Sequence, residues 1–285
     1  MKALLICPAK RHSVAALAET VPLALLPMLG KPLLECWLEY LALLGAREIS
    51  ILADDRPEEI RGFVGDGARW GLRAAVFPEL RELAPDEARV RRRGIGGADW
   101  LPAPHDASLA DHLPQQPECS LFTSPAAWFA AVMDWLPRAA TNPVRIGVRE
   151  LKPGVWVGLH TRVTADAELR APCWLGENVF VGGGAVIGPM AAIEDRCFIE
   201  TGVKISESIV GPETFVGEFT EIRHSIAWGS TLVNWQLDSC LKVPDAFLLR
   251  PLKPRPAPAS RRFQVSPAAE RQINWSWKFN VKTEP

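Results

Sequence analysis

The sequence predicts an α/β amino-terminal part on a parallel sheet, followed by a left-handed parallel β-helix over residues 155–245. Three observations predict it: aliphatic residues at every sixth position from Val157, small residues four places after each of them, and strand–helix–strand alternation before residue 80.

The repeat is the strongest signal. Val157, Val163, Leu169, Leu175, Val181, Ile187, Ile193, Ile199 and Ile205 form an unbroken series of sixes. Neither helical nor ordinary strand periodicity produces that spacing. The interval then drops once to five, and the series resumes at Val210, Val216, Ile222 and Trp228. Thr161, Ala167, Cys173, Val179, Ala185, Ala191, Cys197 and Val203 supply a second, tighter inward site. Gly158, Gly176, Gly182, Gly188, Gly211, Gly217 and Gly229 directly follow the aliphatics and are expected to turn the corners with φ > 0. Three hexads make one triangular coil, so each aliphatic stacks on the residue a coil later, about 4.8 Å along the axis. Roughly four coils result, about 20 Å tall.

In the amino-terminal part, residues 2–7 read as a buried strand, 32–44 as a helix stopped by Gly45, and 48–53 as a second strand. Residues 57–63 read as a short helix, 72–77 as a third strand, and the segment at Ser124 opens another helix. This alternation implies a parallel sheet covered by helices. Boundaries are expected at 1–122 for the α/β domain, 123–154 for a connecting helix and linker, 155–245 for the β-helix, and 246–285 for a Pro-rich spacer and amphipathic strand.

Composition narrows the function classes. The 285 residues are 48% hydrophobic, enough for a substantial core, and carry a formal charge of −1. No long-range field recruits nucleic acid or an anionic membrane. The Arg89–Arg93 run is expected to be a solvated loop. The apolar amino terminus is too short for a leader or a membrane span, which points to a cytoplasmic protein without membrane insertion. Cys7, Cys36, Cys119, Cys173, Cys197 and Cys240 show no C-x-x-C pairing and are expected to be reduced.

Three segments carry a resemblance: Leu25-Leu26-Pro27-Met28-Leu29-Gly30-Lys31-Pro32-Leu33-Leu34-Glu35, then Leu44-Gly45-Ala46-Arg47-Glu48-Ile49, then Gly65-Asp66-Gly67-Ala68-Arg69-Trp70-Gly71. In order and spacing they resemble the opening of the sugar-nucleotide pyrophosphorylases, and the two-part layout is similar to that of GDP-mannose and ADP-glucose pyrophosphorylases. The resemblance implies a Rossmann-like nucleotidyltransferase-type domain, here shortened. It also implies chemistry joining a sugar 1-phosphate to a nucleoside triphosphate with release of pyrophosphate.

That chemistry needs backbone donors, cations and a carboxylate-held metal around the phosphates. The resemblance places a glycine-rich turn after the first strand, where this chain has Cys7-Pro8-Ala9-Lys10-Arg11-His12. No glycine remains, Pro8 removes an amide donor, and the nucleotide-binding remnant is Cys7, Ala9, Lys10 and Arg11. The family's lysine after a proline is replaced by Leu23. Gly65-Asp66 matches a turn rather than the family's Mg²⁺-holding Gly-Asp, for which Asp99 is the later candidate. No metal or other cofactor is therefore expected, Mg²⁺ entering only if the nucleotidyltransferase site is active. Residues 79–124 stand where the enzymes place their remaining strands and sugar-binding loops, so the substrate half is expected to be deleted.

A catalytically degenerate family member with a structural or regulatory role in nucleotide-sugar or exopolysaccharide biosynthesis is the first expectation. An active enzyme is the alternative, either a divergent nucleotidyltransferase or a hexapeptide acyltransferase with His224 as general base; His160 is the other histidine on the repeats. Expected partners are further copies of the chain through the β-helix and an enzyme of a polysaccharide pathway. Trp228 and Trp235 are candidate subunit contacts. The alternation Ile273, Trp275, Trp277 and Phe279 reads as an amphipathic strand docking on this chain or on a partner.

Overall fold

Strand β1 (Lys2–Ile6) owes its place in the middle of a sheet to an apolar run from Ala3 to Cys7 that can be buried on both faces. Leu4 and Ile6 pack with Leu52, Leu83 and Ala88 on one side, and Ala3, Leu5 and Cys7 join the main core on the other. The computed structural model describes residues 1–92, 99–114, 116, 120–141 (139–141 by backbone alone) and 147–252. Cys119, Gly96, Gly97 and the Ile273–Phe279 alternation lie outside the described residues.

After β1 the chain forms a tight hairpin of β2 (Pro27–Met28) and β3 (Lys31–Pro32), turning through Leu29 and Gly30 with φ of 54° and 82°. Helix α1 (Leu33–Leu43) then buries Leu33, Leu34, Trp37, Leu38 and Leu41, an i, i+1, i+4, i+5, i+8 stripe. Gly45, at φ 91°, lies just beyond it and turns the chain into β4 (Glu48–Ala53). Helix α2 (Pro57–Val64) starts on proline and leads to β5 (Arg73–Pro78). The hairpin was not anticipated, whereas β1, α1, β4, α2 and β5 each lie within two residues of the sequence prediction.

Most of the arginine run is not a loop: α3 (Pro85–Arg92) carries it, with Asp86 and Glu87 in its first turn and Ala88 buried beneath. Arg89 donates to both oxygens of buried Asp106 at 2.8 and 2.9 Å, and Arg91 and Arg92 pair with Glu79 at 2.8 and 2.6 Å. The arginines are held by carboxylates distant in sequence, which a local charge count does not see. In addition, β6 (Ala107–Leu109) pairs parallel with β1 in a stretch where no strand was expected. The sheet order is β5-β4-β1-β6, all parallel. The chain reverses direction across the sheet at β1, so the turn leaving its carboxyl end lies in the crevice where open α/β sheets hold ligands. Helix α4 (Pro125–Thr141) follows, its first turn capped by the Ser124 hydroxyl, which accepts from the Ala127 amide at 3.1 Å.

From Val155 to Trp228 the chain passes in rotation through three sheets, each strand as far as Ser208–Val210 pairing in parallel with the third strand on. Residues pair 18 apart at first, as Cys173 with Ala191, and 17 apart afterwards, as Ala191 with Ser208 and Ile209 with Ile226. Every member of the aliphatic series from Leu169 to Ile222 is buried, most at 0% exposure. This cycling is compatible with the predicted coil. The series ends differently from expectation, because a second shortened corner makes Ala227, not Trp228, the inward residue paired with Val210.

Gly188 and Gly229 take the expected positive φ, of 100° and 57°, but the other five glycines act differently. Gly158, Gly176, Gly182, Gly211 and Gly217 do not adopt positive φ; left-handed backbone falls two residues later, at His160, Asn178, Gly184, Glu213 and Phe219. Close approach is what requires these glycines. A Cβ at Gly158 would lie 2.6 Å from the Gly176 carbonyl carbon, and one at Gly182 would lie 2.7 Å from the Thr201 nitrogen.

One of the three sheets is buried on both sides. Its inner residues Val155, Cys173, Leu175, Ala191 and Val210 fill the interior of the stack, whereas its outer residues Trp174, Ala192, Ile209 and Ile226 belong to the same core as Leu5, Leu38 and Trp37. Trp228 and Trp235 also pack against this chain's own core, Trp235 stacking on Phe129 of α4 at 4.5 Å. The described residues up to 252 thus share one packing unit.

Candidate functional site

The turn that leaves β1 is fastened at its root by the Cys7 amide donating to the Leu52 carbonyl at 2.8 Å. Pro8 has no amide to offer. The next amide, Ala9 N–H, donates to Glu82 Oε2 at 2.6 Å, and the Arg11 guanidinium donates to Glu82 Oε1 at 2.9 Å. A carboxylate from the loop after β5 therefore sits where the turn presents its backbone donor and its cation. Lys10 reaches Asp55 at 3.5 Å with its ammonium mostly in solvent. Asp55 is buried and has both oxygens engaged by Arg56 at 3.1 and 2.7 Å, while Arg56 also donates to the Ala18 carbonyl at 2.8 Å. Lys10, Arg11, His12, Ala15, Ala18, Glu19 and Arg56 line a cleft of about 390 Å³. His12 also lines a second cleft, of about 450 Å³, facing Asp238, Ser239 and Cys240.

Electrostatics at the strand ends oppose further negative charge. Burial holds the Asp54 carboxyl above the usual carboxylate range, and Glu82 and Asp55 push it the same way. Burial raises the Cys7 thiol, with Asp54 and Glu82 adding to the effect. Cys7 is thus a neutral wall residue rather than a nucleophile.

The predicted residues are partly brought together. Cys7, Ala9, Lys10 and Arg11 share the turn, and Leu23 is fully buried in a 3₁₀ turn, where it serves the core. Asp66 caps a turn by accepting from the Ala68 amide at 2.9 Å, and exposed Asp99 contributes its carbonyl to the Lys2 amide. Asp99 thus meets the amino-terminal end of β1, the end opposite the Cys7–His12 turn. Near that turn Asp55 and Glu82 face arginines and, among the described residues, no group of three or more His, Cys, Asp or Glu side chains is arranged to hold a metal.

His224 occupies a shortened corner of the repeats at φ 46°. Its Nε2 lies 3.3 Å from Glu207 Oε2, and its ring meets Trp235 edge-on at 5.4 Å. It is half-covered rather than freely presented. His160 is exposed on a different corner, also with left-handed backbone.

Glu82, Asp55 and Arg56 were not found by sequence reasoning. They lie in loops with no periodicity, and only the fold carries them to the Cys7–His12 turn. No helix among the described residues is long and apolar enough to cross a membrane.

No family model matches the chain. It is 31% identical over 99 residues to a glucose-1-phosphate thymidylyltransferase of Streptomyces griseus, covering 35% of this chain and 28% of that protein. It is 33% identical over 75 residues to a UTP–glucose-1-phosphate uridylyltransferase of a Synechocystis strain, covering 26% of this chain and 19% of that protein. The chain thus spans less than a third of the length of these curated relatives. Distant, partial similarity supports a nucleotidyltransferase-like α/β portion of the sugar-1-phosphate nucleotidyltransferase type.

Proposed function

We propose that this protein is a shortened, catalytically degenerate relative of the sugar-nucleotide pyrophosphorylases. It serves a structural or regulatory role in nucleotide-sugar or exopolysaccharide biosynthesis. Its α/β domain spans 1–122, a connecting helix and linker 123–154, and a left-handed β-helix 155–245, which assembles copies of the chain.

The observation that carries this reading is the Glu82 carboxylate on the Ala9 amide and Arg11. A triphosphate needs those same donors, and bringing its negative charge against Glu82 and Asp54 is repulsive. Pro8 and buried Leu23 remove the other expected donors. The test is a thermal-shift series with nucleoside triphosphates and sugar nucleotides, each with and without Mg²⁺, beside an assay of sugar-1-phosphate-dependent pyrophosphate release. Neither stabilisation by triphosphate nor pyrophosphate release is expected, and finding both overturns the proposal.

A second reading has one observation in its favour: His224 lies beside Glu207, and a carboxylate can orient a histidine that acts as general base. Under that reading the protein transfers acyl groups to a nucleotide sugar. Coenzyme-A-dependent turnover that disappears in His224→Ala selects it, and no turnover with the wild type rejects it.

A further inference from the structure

The row of residues that directly follows the inward aliphatics of the doubly buried sheet is Gly158, Gly176, Glu194 and Gly211. Three of the four are glycines because the next pass of the chain lies within 3 Å of where a Cβ would stand. Glu194 breaks this row, and its exposure is only 1%. Its carboxylate crosses to the amino-terminal part, Oε1 accepting from the Leu29 amide and Oε2 from the Gly30 amide, both at 2.7 Å. Those two amides belong to the tight turn between β2 and β3, where Leu29 holds a left-handed φ of 54° that a side-chain-bearing residue rarely adopts. Leu29 is itself fully buried. The Leu29 amide would otherwise be a buried donor, and the Gly30 amide a part-buried one, with one partner fewer, and a carboxylate satisfying two adjacent amides at once demands a fixed placement of both parts.

We propose that Glu194 is a latch: it holds the Leu29–Gly30 turn in its left-handed conformation and couples the amino-terminal sheet to the repeat strands, so that the two open together. The alternative is that the apolar face of Trp174, Ala192, Ile209 and Ile226 couples them unaided. The two differ in what removal of one carboxylate does. With the latch, loss of the carboxylate frees the turn and separates the two parts in stability. With the apolar face alone, it leaves both unchanged.

The test uses the full chain as Glu194→Ala and Glu194→Gln, with Glu200→Ala as a control at the same register position on another row. Hydrogen exchange of the Leu29 and Gly30 amides and urea unfolding are followed in parallel. In Glu194→Ala the two amides are expected to exchange roughly 10- to 150-fold faster, the size of effect that loss of a buried charge-assisted bond produces. Unfolding is expected to split into two transitions. Glu194→Gln, which keeps one carbonyl acceptor, falls between Ala and wild type, and Glu200→Ala behaves as wild type. A single transition in Glu194→Ala with unchanged protection of the turn overturns the latch. If Glu194→Ala does not fold, native-state exchange of the wild type decides the matter. Leu29 and Gly30 amides that open with the same urea dependence as Ile193 support the latch, and amides that open by a urea-independent local fluctuation refute it.

Discussion

Replacing Glu82 with alanine tests whether an internal anion occupies the turn after β1. Two charge-assisted hydrogen bonds disappear, one from the Ala9 amide and one from Arg11. Such bonds contribute about 1.5–3 kcal/mol each when well buried. Here the Arg11 and Glu82 side chains are 32% and 19% exposed, so water replaces part of what is lost. The net destabilisation is then about 1–2 kcal/mol for the pair. In a chain of this size that lowers Tm by roughly 2–8 °C. The variant also leaves a cation and an amide pointing at an empty position, which a small anion can fill. Acetate replaces the missing carboxylate most closely, and pyrophosphate offers more charge. An anion at 100 times its Kd returns about 2.7 kcal/mol, enough to recover the whole loss. Differential scanning fluorimetry of wild type and Glu82→Ala across acetate, phosphate and pyrophosphate titrations at constant ionic strength provides the readout. The expected pattern is rescue of the variant with no response of the wild type. Equal stabilisation of both proteins by pyrophosphate refutes the reasoning, since the turn then binds anions with Glu82 in place.

The remaining predictions concern the core and its titrating groups. Ile187 is fully buried and pairs with Leu169 and Ile205, so Ile187→Ala is expected to destabilise by about 2–5 kcal/mol. Its half-exposed neighbour Val186 faces outward, and Val186→Ala should lose less than half as much; equal losses in urea unfolding contradict the six-residue register. Burial raises the Cys173 thiol to about 12 and pushes up Cys7 and Cys197 as well, whereas Cys240 is exposed. Alkylation of the native protein at neutral pH, read by peptide mass spectrometry, should therefore modify Cys240 and spare those three. Asp54 titrates above its ordinary 3.8 when folded, so its contribution is present below that value and lost as pH rises through the raised one. Asp54→Asn should match wild-type stability below the ordinary value and exceed it progressively at higher pH. A stability difference independent of pH counts against the burial of that carboxyl.

The residues legible in the sequence are those whose surroundings repeat with the chain. Ile187 meets an aliphatic above and below because the same register recurs, so spacing alone identifies it as inward. Trp174, Ile209 and Ile226 sit on the same strands but face a partner that does not repeat, and nothing local distinguishes them from surface residues. The same limit explains Trp228: a constant interval of six continues through Ile222, and only the pairing of Val210 with Ala227 reveals the second shortened corner. In the amino-terminal part, proline and glycine punctuation located α1, α2 and the strands because helix starts and stops are local chemistry. The arginine helix was missed because its pairing carboxylates, Glu79 and Asp106, lie in other segments. The site shows both cases at once. Absence of glycine between Cys7 and His12 is a local fact, readable from the residues, and it removes the backbone cradle. The presence of Glu82 is a tertiary fact, since a loop more than 70 positions away supplies the anion. A sequence can therefore show that a phosphate site has lost its donors. Which group has taken over the donors that remain depends on the β5-β4-β1-β6 order, because that order brings the end of β5 and the end of β1 to the same edge of the sheet.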